Sequence, residues 1–363
     1  MGDTPRYTKQ EQEPASPDVT ELAPGVYRCM LPIQLPGLGH VNCYALEDER
    51  GFTLVDPGMP TDDSWDALID RLGQLGAEIR HVHTVVVTHS HFDHFGASDR
   101  IRDESGADLL THESFRIVWR RSELDEPAEL EPITYSHDGL TEDEEEALLA
   151  RMRARFTRTT PWGSRSQPPP DEHLRDMLRS RKGVLFAVPR PSISVSDEQV
   201  VRLAGREWVS VHTPGHTEDH LCLLDPVEGL LLSGDHVLPT ITPHIGGMTD
   251  QPDPLARFFA SLERMEQLPG VRLALPAHGH PFEDLAGRAV EIREHHLERL
   301  DILRQAADDL GRATVELYMQ RMFRERSWGE MAASETYAHL EHLRLLGEAE
   351  MVEIDGRKTY ALR

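Results

Sequence analysis

Four residues within six positions carry the first chemical signal: His89, His91, Asp93 and His94, in the stretch VVVTHSHFDHFGAS at 85–98. Three imidazoles and a carboxylate packed this closely repel one another once protonated, and they lose hydration if buried without partners. A bound cation removes both costs. Imidazole and carboxylate are donors that suit zinc, iron or manganese, and the lack of a nearby cysteine argues against a purely structural zinc knuckle.

Something rigid must present these groups. The apolar run HTVVVTH at 83–89 reads as a buried strand, so the cluster sits just past a strand's C-terminal end. His89 and His91 are two apart and project the same way on extended backbone, whereas Asp93 and His94 fall on the following turn or first helical turn. Upstream, residues 61–76 have helical spacing with Trp65, Leu68, Ile69, Leu72 and Leu75 on one face. Before them, VYRCMLPI, HVNCYALE and GFTLVDPG read as short strands broken by Gly and Pro. Strand, helix, strand predicts a layered α/β arrangement, and such folds gather ligands beyond the C-terminal ends of their strands.

The rest of the chain follows the same grammar. Residues 1–17 are polar, proline-bearing and without periodicity, and are expected to be a disordered tail. Residues 113–190 read as an insertion, with charged helical stretches around TTPWGSRSQPPPDEH and a lone Trp162, and form a candidate lid. Strand signals return in SISVSDEQVVRLAGREWVSVHTPG, HLCLLDPVEGLLLSGD and RLALPAHGH, with a helix expected over 253–268 and a long amphipathic one over 283–310. Residues 311–363 read helix, helix, hairpin, with Asp355 and Gly356 as the tight turn. The expected organisation is a main domain over 18–310 followed by a small C-terminal domain.

Composition bounds the partners. The 363 residues carry 63 Asp and Glu against 38 Lys and Arg, a formal charge of −25, which repels polyanions and disfavours nucleic acid as a partner. There is no run of apolar residues long enough for a membrane span and no signal-peptide pattern at the start, so the expectation is a cytoplasmic protein without membrane contact. The three cysteines, Cys29, Cys43 and Cys222, fit neither a disulfide framework nor a metal knuckle and read as buried thiols.

Further donors recur at predicted strand ends: His216 in HTPGHTEDH, Asp235 in LLLSGDH and His278 in LPAHGHP. Each follows an apolar run beside Gly or Pro, as loops gathered on one sheet edge would, giving seven candidate ligands. His83, His112 and His212 read as structural, His295 and His296 as decorating a helix surface. His220 is a candidate for supporting the ligands, and His244 in ITPHIGG for the pocket mouth.

With these motifs in order, the chain resembles the metallo-β-lactamase-fold hydrolase superfamily: THSHFDH fits its signature in full, and TPGHT, GD and PAHG follow over residues 19–300. The resemblance implies an αββα sandwich, here followed by a small winged-helix-like C-terminal domain. It implies that His89, His91 and His216 hold one divalent ion, that Asp93, His94 and His278 hold a second, and that Asp235 bridges them. Asp56 in LVDPG would orient the histidine loop. His280 competes with His278, which is preferred because the family's ligand precedes this glycine.

Two divalent ions, with zinc the default and iron or manganese fitting the same donors, would generate hydroxide near neutral pH and polarise a carbonyl or phosphoryl oxygen. Asp93 or a water on the metal would protonate the leaving group. The layout resembles the glyoxalase II branch, which makes an acyl thioester the first choice of substrate. Residues 113–190 and the tail depart from glutathione-binding members. A lactonase is the runner-up, since the same donors serve a cyclic ester. An endoribonuclease, prompted by the tail, is disfavoured by the acidic balance, and a persulfide dioxygenase by the complete second site. The expected partners are a small-molecule acyl substrate and a second copy of the chain through the tail.

Overall fold

In the computed structural model, which describes residues 9–35, 37–116, 133–135, 139–180, 184–185 and 189–363, the chain divides into two compact units. The first comprises the described residues of Met1–Ile117, Pro189–Pro243 and Phe259–Arg293, and the second those of Val118–Val188, His244–Phe258 and Glu294–Arg363.

The first unit is built on two sheets. Thr20–Ala23, Val26–Leu35, Leu38–Asp48 and Gly51–Val55 pair antiparallel in succession, and the sheet continues in parallel through Val82–Val86, Asp108–His112 and Ile193–Val195. A central parallel strand is covered on both faces, which is why these segments read as unbroken apolar runs. Leu54, Val85 and Leu109 pack on one face against Trp65, Leu68 and Leu72 of the helix Asp62–Gln74. Their neighbours Val55, Val86 and Leu110 face the second sheet and meet Trp208, Leu221, Leu223, Leu230, Leu232 and Leu275. That sheet runs Val200–Leu203, Arg206–His212, Leu221–Asp225, Leu230–Gly234 and Leu273–Pro276, with only the last pair parallel.

Parallel pairing brings loop residues from separate strands out at one edge. Because Gly51–Val55 lies alongside Val82–Val86, Asp56 and Thr88 emerge together, and the pairing of Leu230–Gly234 with Leu273–Pro276 does the same for Asp235 and His278. Backbone bonds from Leu221 N to Thr88 O (2.8 Å) and from Asn42 N to Ala277 O (2.7 Å) join the two sheets at this end.

The disordered tail expected over 1–17 does not hold for residues 9–17. Gln10–Gln12 forms a 3-10 turn, and the buried Glu11 carboxylate accepts the N–H groups of Thr240 (2.8 Å) and Ile241 (3.0 Å). A few side-chain bonds to distant backbone order a segment that has no periodicity of its own. The three cysteines are buried free thiols.

In the second unit, the helix Glu142–Phe156 starts at a capping box between Thr141 and Glu144. Ala313–Thr314, Arg357–Leu362 and Ala349–Ile354 form a three-stranded sheet beside the helices Val315–Met322 and Glu330–Leu345. Asp355 (φ 51°) and Gly356 (φ 74°) make the hairpin turn, where both central residues need positive φ. Trp162, read as part of a lid, is buried with its ring 5.5 Å from that of Tyr337, so this part of the insertion and the C-terminal segment belong to one unit. The remainder of the lid reading, at 117–132, 136–138, 181–183 and 186–188, lies outside the described residues. His296 corrects a second expectation: it is fully buried, not on a helix surface. Among the described residues no helix is long and apolar enough to cross a membrane.

Candidate metal centre

The seven candidate ligands of the sequence come together in the first unit, in two groups. His89, His91, His216 and Asp235 each offer a donor atom within 4.8 Å of the others, and Asp93, His94 and His278 do likewise. The Asp235 carboxylate lies between the groups. Its Oδ2 is 3.6 Å from His216 Nε2, 3.9 Å from His89 Nε2 and 3.6 Å from His94 Nε2, while Oδ1 is 3.4 Å from His278 Nε2. Asp93 Oδ2 is 3.5 Å from His94 Nε2 and 3.4 Å from His278 Nε2.

Hydrogen bonds around the rim decide which nitrogen each imidazole turns inward. Asp56 Oδ2 accepts from His94 Nδ1 at 2.9 Å and from the Thr88 hydroxyl at 2.7 Å. Since that hydroxyl proton is committed, Thr88 Oγ1 can only accept from His89 Nδ1 at 3.0 Å. His278 Nδ1 donates to the His40 carbonyl at 2.6 Å. Three Nε2 atoms therefore point into the cluster, each with a lone pair when its ring is neutral. His94 Nε2, His278 Nε2 and Asp235 Oδ1 are buried and make no hydrogen bond. His91 Nδ1 faces both His89 Nε2 (2.9 Å) and His216 Nε2 (3.1 Å), where one proton serves only one neighbour at a time. Imidazole nitrogens and carboxylate oxygens converge in a buried place, the donor set a divalent cation takes, so the residues present fit a metal pair.

Charge points the same way. Burial and the neighbouring imidazoles hold His89 well below its ordinary range. Burial also opposes charge on His94 and His278, but it is outweighed: Asp93, Asp235 and Asp56 raise His94, and Asp235 with Asp93 lifts His278 to about 10. Against the same burial, His94 and His278 keep Asp93 and Asp235 below the usual carboxylate range. The two carboxylates thus demand positive charge beside them, which protons and metal ions compete to supply.

The supporting residues divide between those read from the sequence and those missed. Asp56, expected to orient the histidine loop, also accepts the Thr88 N–H at 2.8 Å. His220 touches Asp235 through its backbone: Nε2 accepts the Asp235 N–H at 3.0 Å, held in that tautomer by Thr213 Oγ1 at 2.7 Å from Nδ1. His280 lies outside both groups, bonded to Glu13 (2.8 Å) and Arg28 (3.1 Å). His244 belongs to the second unit, with Nδ1 3.3 Å from Glu335 Oε2. His40 and Asp219 carry no motif that would have marked them. Buried Asp219 accepts from Ser90 Oγ at 3.1 Å, tying the loop of His89 and His91 to that of His216, and burial lifts its carboxyl to about 6.

The sequence profile of the metallo-beta-lactamase superfamily matches residues 36–278. The chain belongs to that superfamily. It is 28% identical to a metallo-beta-lactamase family protein of Thermus thermophilus, with a TM-score of 0.70 over 94% of this chain and all of that one. A beta-lactamase domain protein of Burkholderia ambifaria is 27% identical, also at 0.70, over 97% of this chain and 95% of that one. A Bacillus subtilis protein named probable metallo-hydrolase YqjP is 23% identical over 84% of this chain and 88% of its own length. Shorter matches include the lactamase-like protein nscB of Aspergillus fumigatus, 37% identical over 28% of each chain. The atrochrysone carboxyl ACP thioesterase dmxR1 of a Cryptosporiopsis species is 34% identical over 26% of this chain and 27% of its own length. This chain thus spans little more than a quarter of the length of these two fungal proteins. The histidine and aspartate clusters of this superfamily member form a candidate metal centre.

Proposed function

We propose that this protein hydrolyses acyl thioesters with two divalent ions, His89, His91 and His216 holding one and Asp93, His94 and His278 the other. The observation that carries the reading is the placement of Asp235, whose two oxygens face donors of both groups. Divalent ions held there, zinc being the default, would supply a nucleophile at neutral pH and polarise the substrate carbonyl.

The chain's own residues do the positioning. Asp56 and the His40 carbonyl fix the tautomers of His94 and His278, and His220 holds the Asp235 backbone. Asp93 would serve the ion as an ionised carboxylate, which argues against it as proton donor to a leaving group. A thiolate leaves without such a donor, since an ordinary thiol has a pKa of about 8.5, whereas an alkoxide from a lactone needs one. This difference favours thioesters, and the name of the thioesterase relative agrees with it. A lactonase stays the second reading because the donors are the same.

On this reading the substrate is a small acyl compound, nucleic acid is no partner, and the protein works in the cytoplasm. The helix, helix, hairpin order of residues 311–363 supports a winged-helix-like module that would serve assembly of a homodimer. The deciding experiment follows acid release by zinc-loaded protein from acyl thioesters and lactones of equal chain length, with a thiol reagent reporting the first reaction. Thiol release with little lactone opening is expected. Lactone opening alone would overturn the thioester assignment.

A further inference from the structure

In the second unit, the helices Leu285–Leu310 and Glu330–Leu345 bring three more donors together. One atom each of His296, Glu335 and His339 lies within 4.8 Å of the others, and all three residues are buried in the second unit. Glu335 and His339 are four apart on one helix, so they share a face. His339 Nδ1 lies 2.7 Å from the Glu335 carbonyl oxygen and must donate to it, which turns the Nε2 lone pair toward His296 Nδ1 at 3.1 Å. A backbone carbonyl fixing the tautomer in this way is the usual support of a metal-binding imidazole. Two nitrogens at the zinc–nitrogen distance of a tetrahedral ion stand about 3.3 Å apart, close to the separation found.

Glu335 completes the set. Its Oε1 is 4.0 Å from His296 Nδ1, Arg299 pairs with the same oxygen, and His244 Nδ1 is 3.3 Å from Oε2. We propose that His296, Glu335 and His339 form an additional site for a single divalent ion, zinc by donor type, with Arg299 and His244 positioning the Glu335 carboxylate. All three donors are buried and come from two helices, so the ion would clamp those helices together. Arg299 already balances Glu335, so the ion adds net positive charge to a buried place and binds less tightly than ions held with the help of Asp93 and Asp235.

The probe is zinc alone, titrated into the full-length protein against a chelator. Wild type should take up one equivalent more than His339→Gln, whatever number the main centre holds, and Asp235→Ala should keep the additional equivalent. Crystals grown with zinc should show anomalous scattering between His296 and His339, a readout that needs no variant to fold. Equal uptake by wild type and a folded His339→Gln would overturn the site. So would a map without zinc between the two rings, which would leave the cluster as a proton-sharing histidine pair beside an ion pair.

Discussion

Replacing Asp56 with asparagine alters one atom and tests how the centre is held. Asp56 follows the strand Gly51–Val55 at φ 54°, a conformation asparagine tolerates, so the backbone stays in place. Its carboxylate accepts three bonds: Thr88 N–H on Oδ1, and the Thr88 hydroxyl and His94 Nδ1–H on Oδ2. An amide offers one accepting oxygen and one donating nitrogen. With nitrogen in the Oδ2 place, His94 Nδ1–H faces a donor; with nitrogen in the Oδ1 place, Thr88 N–H does. Either orientation strands at least one buried donor, each at a cost of about 1–3 kcal/mol. In the first, the cost falls on the tautomer that turns His94 Nε2 inward, and zinc affinity should fall about 10–100-fold. Competition with a chromophoric chelator measures the affinity, and urea unfolding measures stability alongside. Zinc binding within about threefold of wild type, with stability reduced, would show that Asp56 only braces the Thr88 turn. No change in either would refute the hydrogen-bond reasoning altogether.

Three further outcomes are expected. Asp235→Ala should lower hydrolysis by more than about 100-fold, beyond the effect of residues that merely support a ligand, while circular dichroism stays unchanged; near-normal turnover would sink the two-ion mechanism. Gly234→Ala sets a Cβ 2.7 Å from His220 Nε2 at a φ of 50°, so it should displace His220 from the Asp235 N–H and cost both stability and metal, seen in unfolding and metal content. Asp219→Asn tests the buried carboxyl. Its folded pKa of about 6 lies above the ordinary value of 3.8, so the folded state holds the proton longer and the residue costs stability as pH rises through that window, by at most about 3 kcal/mol. In chelator-treated protein, Asp219→Asn should therefore gain on wild type between about pH 4 and 7; a constant difference across that range contradicts the assignment.

The donors of the candidate centre were legible because each follows an apolar run, and local spacing determines where a side chain points just past a strand end. His89 and His91 needed only extended backbone between them. Their supports were less visible. His40 meets His278 through a backbone carbonyl, which any residue could supply, and Asp219 is an ordinary loop aspartate until its contact with Ser90 is known. Residues 9–17 carry no pattern, yet Glu11 bonds to Thr240 and Ile241.

The sequence by itself determined the layered α/β character, the superfamily and the identity of the residues that could bind metal. Those rest on hydrophobic periodicity and motif spacing, both local properties of the chain. Only the tertiary structure decided which nitrogen of each imidazole faces inward, that Asp235 lies between the two groups, and that buried His296 stands beside His339. Tautomer and burial depend on groups from distant parts of the chain, and no local pattern encodes which of them will meet.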